Sequence, residues 1–363
     1  MDWRALLHPL AAQPLAGAAC VLLAVLVALM VDALWGEPPA RWHPVVWMGR
    51  ALDALGLRIA PPAPTGRDLK CFWLAALSWC ALAALFLIVA AVLQAAVLGA
   101  LEPARQPASP ALQSWLNGPG VDMGVVLQAG YGLVAALLLG LLLKPLLALA
   151  LLQSEVHAVE AALAESLQAG RARLAWLVSR DVAQLSSDEV RQSAIESLAE
   201  NLNDSVVAPL FWFVLLGLPG AALYRFANTA DAMWGYPGLR GGRYWQWAGK
   251  WAARADDVLS WLPARITALL LVLAGGGVPL RKLAQEARKT PSPNSGWPMA
   301  AMALALGVRL SKPGAYCLHA GGRRPTAHDA EQAQKLVSKV ALALVLLALT
   351  ALVLIGVWML IRG

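Results

Sequence analysis

The sequence predicts an all-α, polytopic integral membrane protein, and three observations carry that reading. Hydrophobic residues make up 59% of the 363, charged residues 14%, and mean hydropathy is +0.59, whereas soluble domains carry about 25% charge. Apolar runs at roughly 15–34, 72–100, 125–152 and 340–361 each reach the ~20 residues a helix needs to cross the hydrocarbon core. No stretch keeps the alternation of a strand.

The elements follow in order. The run 15–34 lacks a strong basic region before it and a small-residue cleavage site before the polar residues 36–39, so it reads as a retained helix. It ends in VDALWGEPPARWHPVVWMGR, where Asp32, Glu37, His43 and Arg50 surround a Pro-rich turn with tryptophan anchors. Basic residues set the orientation. The 35–71 loop holds Arg41, Arg50, Arg58, Arg67 and Lys70, the 101–124 loop only Arg105, and 281–339 ten Lys and Arg. The positive-inside rule then places 35–71 and 281–339 in the cytoplasm and the amino terminus outside.

Two further apolar runs are irregular. Segment 206–223 contains Pro209 and a Leu218-Pro219-Gly220 break; 258–280 contains Pro263, Arg265 and Gly275-Gly276-Gly277. Because 224–257 is also basic, both are expected to re-enter or lie at the interface, with two full crossings as the alternative. The organisation is therefore 1–152 with three membrane helices, a cytoplasm-facing catalytic region at 153–339, and an anchor at 340–363.

Between the third run and 206 the chain is polar and helical. HAVEAALAESLQAGRARLAWLVSRD has helical apolar spacing, and Ser186 with Glu189 forms a capping-box signature that starts a new helix. On that helix Glu196 and Glu200 lie one turn apart, with Asn203 and Asp204 one turn later, so all four share a face. Like charges at this spacing repel. A solvated helix surface is the bland explanation, but the helix also carries Asn201 and runs straight into apolar residues. Carboxylates crowded at such a boundary suit a cation such as Mg²⁺.

Other polar clusters stand in apolar surroundings: Asn228, Thr229, Asp231 and Tyr236 in 224–237; Arg243, Arg254, Asp256, Asp257 and Arg265 in 243–265; and the turn PSPNSGWP at 291–298. The sequence has no P-loop, no HExxH and no GxSxG. The five histidines do not cluster, and Cys20, Cys71, Cys80 and Cys317 read as small core residues. The net charge of +7 fits anionic lipid or a phosphate-bearing substrate, and no nucleic-acid motif is present.

Taken in order, GEPP…HPV…GR, SRDVAQL, ESLAENLNDSVVAPLFW, NTADAMWGY, ARADDVLSWLPAR and PSPNSGWPMAAMALALGVRL span roughly 28–312, and the set resembles the adenosylcobinamide-phosphate synthase family of cobalamin biosynthesis. The resemblance implies a multi-pass enzyme of the bacterial inner membrane, its active region facing the cytoplasm. It would join a carboxylate of adenosylcobyric acid to the amine of aminopropanol phosphate with ATP and Mg²⁺, and associate with other enzymes of cobalamin synthesis. On this reading Glu200 and Asp204 hold the metal, and Glu196 or Asp231 is the base. Asn201 and Asn228 orient the reactants. Arg180, Arg243, Arg254 and Arg265 bind phosphates, and His43, Arg50, Asp181, Tyr236, Asp256, Asp257, Ser292, Asn294 and Trp297 complete the substrate site. Three positions depart from the family pattern: Glu37 for aspartate, Val182 for threonine, and Met299 for a glutamate that often follows Gly-Trp-Pro. A non-enzymatic membrane sensor of related architecture is the competing class, and a transporter is disfavoured because no inverted repeat is found.

Overall fold

The computed structural model describes residues 14–101 and 123–362. His8 and the 101–124 loop with Arg105, except for Leu101, Met123 and Gly124, lie outside them. The helices are α1 (Pro14–Trp35), α2 (Pro44–Ile59), α3 (Leu69–Ala100), α4 (Met123–Leu143), α5 (Leu149–Glu165), α6 (Leu167–Leu174), α7 (Ser187–Leu202), α8 (Ala208–Trp234), α9 (Lys250–Ala274), α10 (Leu280–Ala287), α11 (Gly296–Leu306) and α12 (Ala327–Arg362). The all-α expectation stands, with two small antiparallel hairpins added: β1 (Leu239–Arg240) with β2 (Arg243–Tyr244), and β3 (Leu310–Lys312) with β4 (Tyr316–Leu318). Strands of two or three residues are too short for alternation to show.

Among the described residues, six helical segments are long and apolar enough to cross a membrane. Large apolar side chains such as Leu77 and Ile88 on α3 and Leu346 and Leu354 on α12 face outward. In water such surfaces would aggregate, whereas in lipid they need no cover.

The apolar run 125–152 is not one helix. It carries Lys144-Pro145, where α4 ends in a 3₁₀ turn and Leu147 becomes extended before α5. The break has a cause in charge. Lys144 is buried and its Nζ pairs with Asp32 Oδ1 at 3.0 Å and Glu37 Oε1 at 2.9 Å. Asp32 Oδ2 accepts the Ala150 amide at 2.8 Å, tying the start of α5 to the end of α1. Glu37 is also bonded to His43 Nε2 at 2.9 Å.

The helix expected over 157–181 breaks at Ser166, whose extended backbone ends α5 and whose hydroxyl caps α6 through the Ala169 amide at 3.0 Å. The capping box of Ser186 and Glu189 is formed in both directions and starts α7. A π-helical turn, Asn203–Val207, then joins α7 to α8; such turns shift side-chain register and frequently mark functional sites.

Within α8, Gly217 takes φ 69° and ψ −159°, a combination open in practice only to glycine. The amide freed at Leu218 donates to Gln94 Oε1 of α3 at 2.8 Å, and Pro219 has no amide to satisfy. Here the chain doubles back. A continuous helix would separate Asp204 from Arg225 by about 30 Å, yet Arg225 Nη1 donates to the Asp204 carbonyl at 3.0 Å. The amphipathic α2 closes the structure beneath, because Gly56 lets its backbone approach the stacked Trp234 and Trp245 rings, centroids 6.0 Å apart.

Candidate functional site

The π-turn and the reversal at Gly217 place α7, the second arm of α8 and α9 side by side. Glu196, only 1% exposed, donates nothing and accepts from Arg180: Nη2 reaches Oε2 at 2.9 Å while Nη1 donates to Ser193 Oγ at 3.2 Å. Its other oxygen, Oε1, is buried without a partner among the described residues. Glu200 lies within electrostatic reach of Glu196, Asp204, Lys312 and Arg180. Asp204 in turn senses Asp256 and Asp231, and Asp231 senses Asp257. Six carboxylates from α7 to α9 are thus linked as a row, each within electrostatic reach of the next.

Polar side chains hold the row in place. Asn203 Nδ2 donates to Asp204 Oδ1 at 2.7 Å and accepts on Oδ1 from Thr267 at 3.1 Å. The Tyr224 hydroxyl lies 3.4 Å from Asp204 Oδ1 and 3.1 Å from Ser260 Oγ, which reaches Asp256 Oδ2 at 3.4 Å. Asn228 Nδ2 donates to Asp256 Oδ1 at 3.5 Å. Arg225 donates to the Asp204 carbonyl, to Ser205 Oγ at 2.9 Å and to Asn228 Oδ1 at 3.5 Å. The Asn203 and Tyr224 bonds to Asp204 fall on Oδ1, and the Asn228 side chain also reaches this carboxylate.

At the Glu196 end the β3–β4 hairpin brings in Tyr316. Burial, and then the negative charges of Glu196 and Glu200, push its phenol well above the usual tyrosine range. The Tyr316 hydroxyl lies 3.8 Å from Met299 Sδ and within hydrogen-bonding reach of the Glu196 carboxylate. Met299 is thus an apolar neighbour of the row rather than a titrating member.

Among the described residues no three His, Cys, Asp or Glu side chains converge to enclose a metal. Mg²⁺ does not demand that, since it is commonly bound by one or two carboxylates with water and substrate phosphates completing its shell. The neighbouring Glu200 and Asp204, whose negative charges bear directly on each other, fit such a role.

Not every residue singled out from the sequence joins the row. Asn201 turns its amide back onto Ser197, 3.0 Å from the carbonyl and 3.2 Å from Oγ, because at that register it faces its own helix. Asp181 is exposed and caps the Ala183 amide at 2.9 Å. Tyr236 bonds Ser179 Oγ at 2.7 Å beside the Arg180 segment, with Arg240 stacked on its ring. His43 is held by Glu37. Arg50 and Arg254 are exposed, and Arg243 is bonded to the Ala60 carbonyl at 3.1 Å. Arg265 follows Asp256 by about two and a half helical turns and so occupies the opposite face of α9; it gathers with Ser292, Asn294 and Trp297 in a group tied to the row through Asn294 Nδ2, which donates to the Asp257 carbonyl at 2.7 Å.

Conversely, Arg225, Tyr224, Lys312, Tyr316 and Lys144 were not singled out. Two of them carried a readable signal. Arg225 in AALYRFA and Lys144 in LLLKPLL are charges set inside apolar runs, which mark polar interiors.

Compared with known proteins, the chain matches the CobD/Cbib protein family over residues 25–347. It is 37% identical over 343 residues to the cobalamin biosynthesis protein CobD of Chromobacterium violaceum, covering 91% of this chain and 96% of that one. It is also 36% identical over 300 residues to the probable cobalamin biosynthesis protein CobD of Methanothermobacter thermautotrophicus, covering 81% and 85%. The probable CobD of Pyrococcus abyssi is 38% identical over 307 residues, covering 85% and 88%. No solved structure matches it.

Proposed function

We infer that the chain, which belongs to the CobD/Cbib protein family, is a membrane-bound adenosylcobinamide-phosphate synthase of cobalamin biosynthesis. It would form the amide between a carboxylate of adenosylcobyric acid and the amine of aminopropanol phosphate, with ATP consumed. The observation that supports this reading is the largely shielded row of carboxylates, with Glu196 fully buried, and Arg180 and Arg225 set beside it. A sensor needs no such concentration of negative charge beside lipid, and an enzyme that gathers phosphates and a cation does.

A carboxylate and an amine do not condense at neutral pH unless the carboxylate is activated. In the proposed sequence the terminal phosphoryl group of ATP passes to the corrinoid carboxylate, giving an acyl phosphate and ADP. The amine then attacks the acyl carbon, inorganic phosphate leaves, and the nitrogen loses a proton. Glu200 and Asp204 would hold Mg²⁺, whose charge neutralises the phosphates. Arg180 would offer its remaining N–H groups to a phosphate while orienting Glu196. Arg180 already occupies Oε2 of Glu196, so the base is assigned to Asp231, whose charged influences are the acidic Asp204 and Asp257.

The test is ligation in proteoliposomes supplied with adenosylcobyric acid, aminopropanol phosphate, ATP and Mg²⁺, read by ADP release and the mass of the corrinoid product. Asp204→Asn and Glu200→Gln should each lose at least about a hundredfold in turnover. Absence of the amide product from the unaltered protein would refute the activity; near-normal turnover in both variants would refute the metal assignment alone.

A further inference from the structure

Away from the carboxylate row, a cavity of about 570 Å³ is lined by Trp261 and Arg265 of α9, Arg288 at the end of α10, Thr290, Ser292 and Trp297, with alanine and proline completing its wall. Two guanidinium groups border it and no carboxylate does. Arg265 is fixed rather than free. Nη1 donates to the Trp261 carbonyl and to Asn294 Oδ1, both at 2.6 Å, and Nη2 donates to the Pro293 carbonyl at 3.1 Å. Trp261 and Trp297 flank the guanidinium, with ring centroids 4.5 and 4.9 Å away. All three acceptors are neutral, so the charge is positioned without being cancelled. Among the described residues Nε–H and one Nη2–H carry no partner, and a guanidinium grips phosphate through two such parallel donors.

What adjoins the cavity identifies the ligand. Val258, Leu262, Leu269 and Leu273 expose a continuous apolar stripe along the face of α9 that carries Trp261. A site with a fixed cationic fork at one point and bare hydrocarbon surface beside it matches a molecule with a phosphate head and apolar tails. We propose that this cavity binds the headgroup of an anionic phospholipid, its phosphate on Arg265 and Arg288 and its acyl chains along the α9 stripe.

The experiment uses the full chain in detergent, titrated with phosphatidylglycerol or phosphatidylcholine and read by native mass spectrometry. Phosphatidylglycerol should be retained in preference to phosphatidylcholine. Arg265→Gln and Arg288→Gln should each weaken that retention about tenfold, the loss of one charge-assisted contact, while Arg58→Gln, elsewhere on the surface, leaves it unchanged. If Arg265→Gln does not fold, Arg288→Gln decides alone, since its guanidinium makes no side-chain hydrogen bond among the described residues. Equal retention of the two lipids, or undiminished retention in Arg288→Gln, overturns the proposal. So does displacement of phosphatidylglycerol by millimolar inorganic phosphate or aminopropanol phosphate, which would make the site one for a soluble phosphate.

Discussion

Glu37 shows how much a single side chain carries. Burial alone would raise its carboxyl, but hydrogen bonds from His43 and Lys144 and the Lys144 charge outweigh that and hold it below its ordinary 4.5. Lys144 in turn is a buried cation, tolerable only while anions face it. A carboxyl whose folded value is depressed stabilises the fold above its unfolded value, and that contribution disappears as pH falls through the folded one. Glu37→Gln should therefore cost about 2 kcal/mol at pH 7, with the deficit shrinking below pH ~4.5 as the native carboxyl also protonates. Thermal unfolding in detergent at pH 7 and pH 4 measures it, and a deficit independent of pH would contradict the ionic account. The sequence displayed Asp32, Glu37 and His43 together in one turn. Their cationic partner lay more than a hundred residues away in an apolar run, so the network itself was not legible.

At the scale of the element, what was readable was local. Ser186 and Glu189 predict their own reciprocal bonds from spacing alone, and the structure forms both. Ser186→Ala should cost about 1 kcal/mol by removing that cap, seen as a lower unfolding midpoint. The Leu218-Pro219-Gly220 irregularity was equally visible, yet the hinge falls at Gly217 and depends on Gln94 of a different helix. Two arms, 208–216 and 218–234, rise about 14 and 26 Å, each less than the ~30 Å of hydrocarbon. The reversal between the two arms returns Arg225 to Asp204. Gly217→Ala should cost about 2–4 kcal/mol, since any side chain resists that backbone and its Cβ would strike the Gln94 amide. Gln94→Ala should cost about 1–3 kcal/mol through the orphaned Leu218 amide. If the two substitutions were fully additive, the hinge and its cap would be independent, contrary to the geometry.

For the whole molecule, a few side-chain contacts tie helix ends to one another. Asp32 at the end of α1 meets Lys144 at the end of α4, so those ends share a level. Gln153 of α5 reaches Ser338 Oγ of α12 at 2.8 Å, bringing the last polar turn of α12 to the start of α5. Lys339 reaches the Ala274 carbonyl at 3.5 Å, which brings the end of α9 to the same level. The start of α9 is tied elsewhere. The Tyr244 amide donates to the Pro61 carbonyl at 2.8 Å, in the linker after α2, a helix whose Arg50, Asp53 and Arg58 keep it out of hydrocarbon. That linker follows α1 without a crossing, so both ends of α9 lie on the side where α1 ends. Although α9 has the length and hydropathy of a span, we propose from these ties that it enters and leaves by one face, which the positive-inside rule would put in the cytoplasm. Single cysteines replacing Arg240 and Gly321, in a background with the four native cysteines changed to alanine, should therefore behave alike: inert to an impermeant maleimide in intact cells and reactive in inverted vesicles. Opposite behaviour of the two positions would mean that α9 crosses. Labelling of both from outside would invert the whole arrangement and move the carboxylate row away from cytoplasmic ATP.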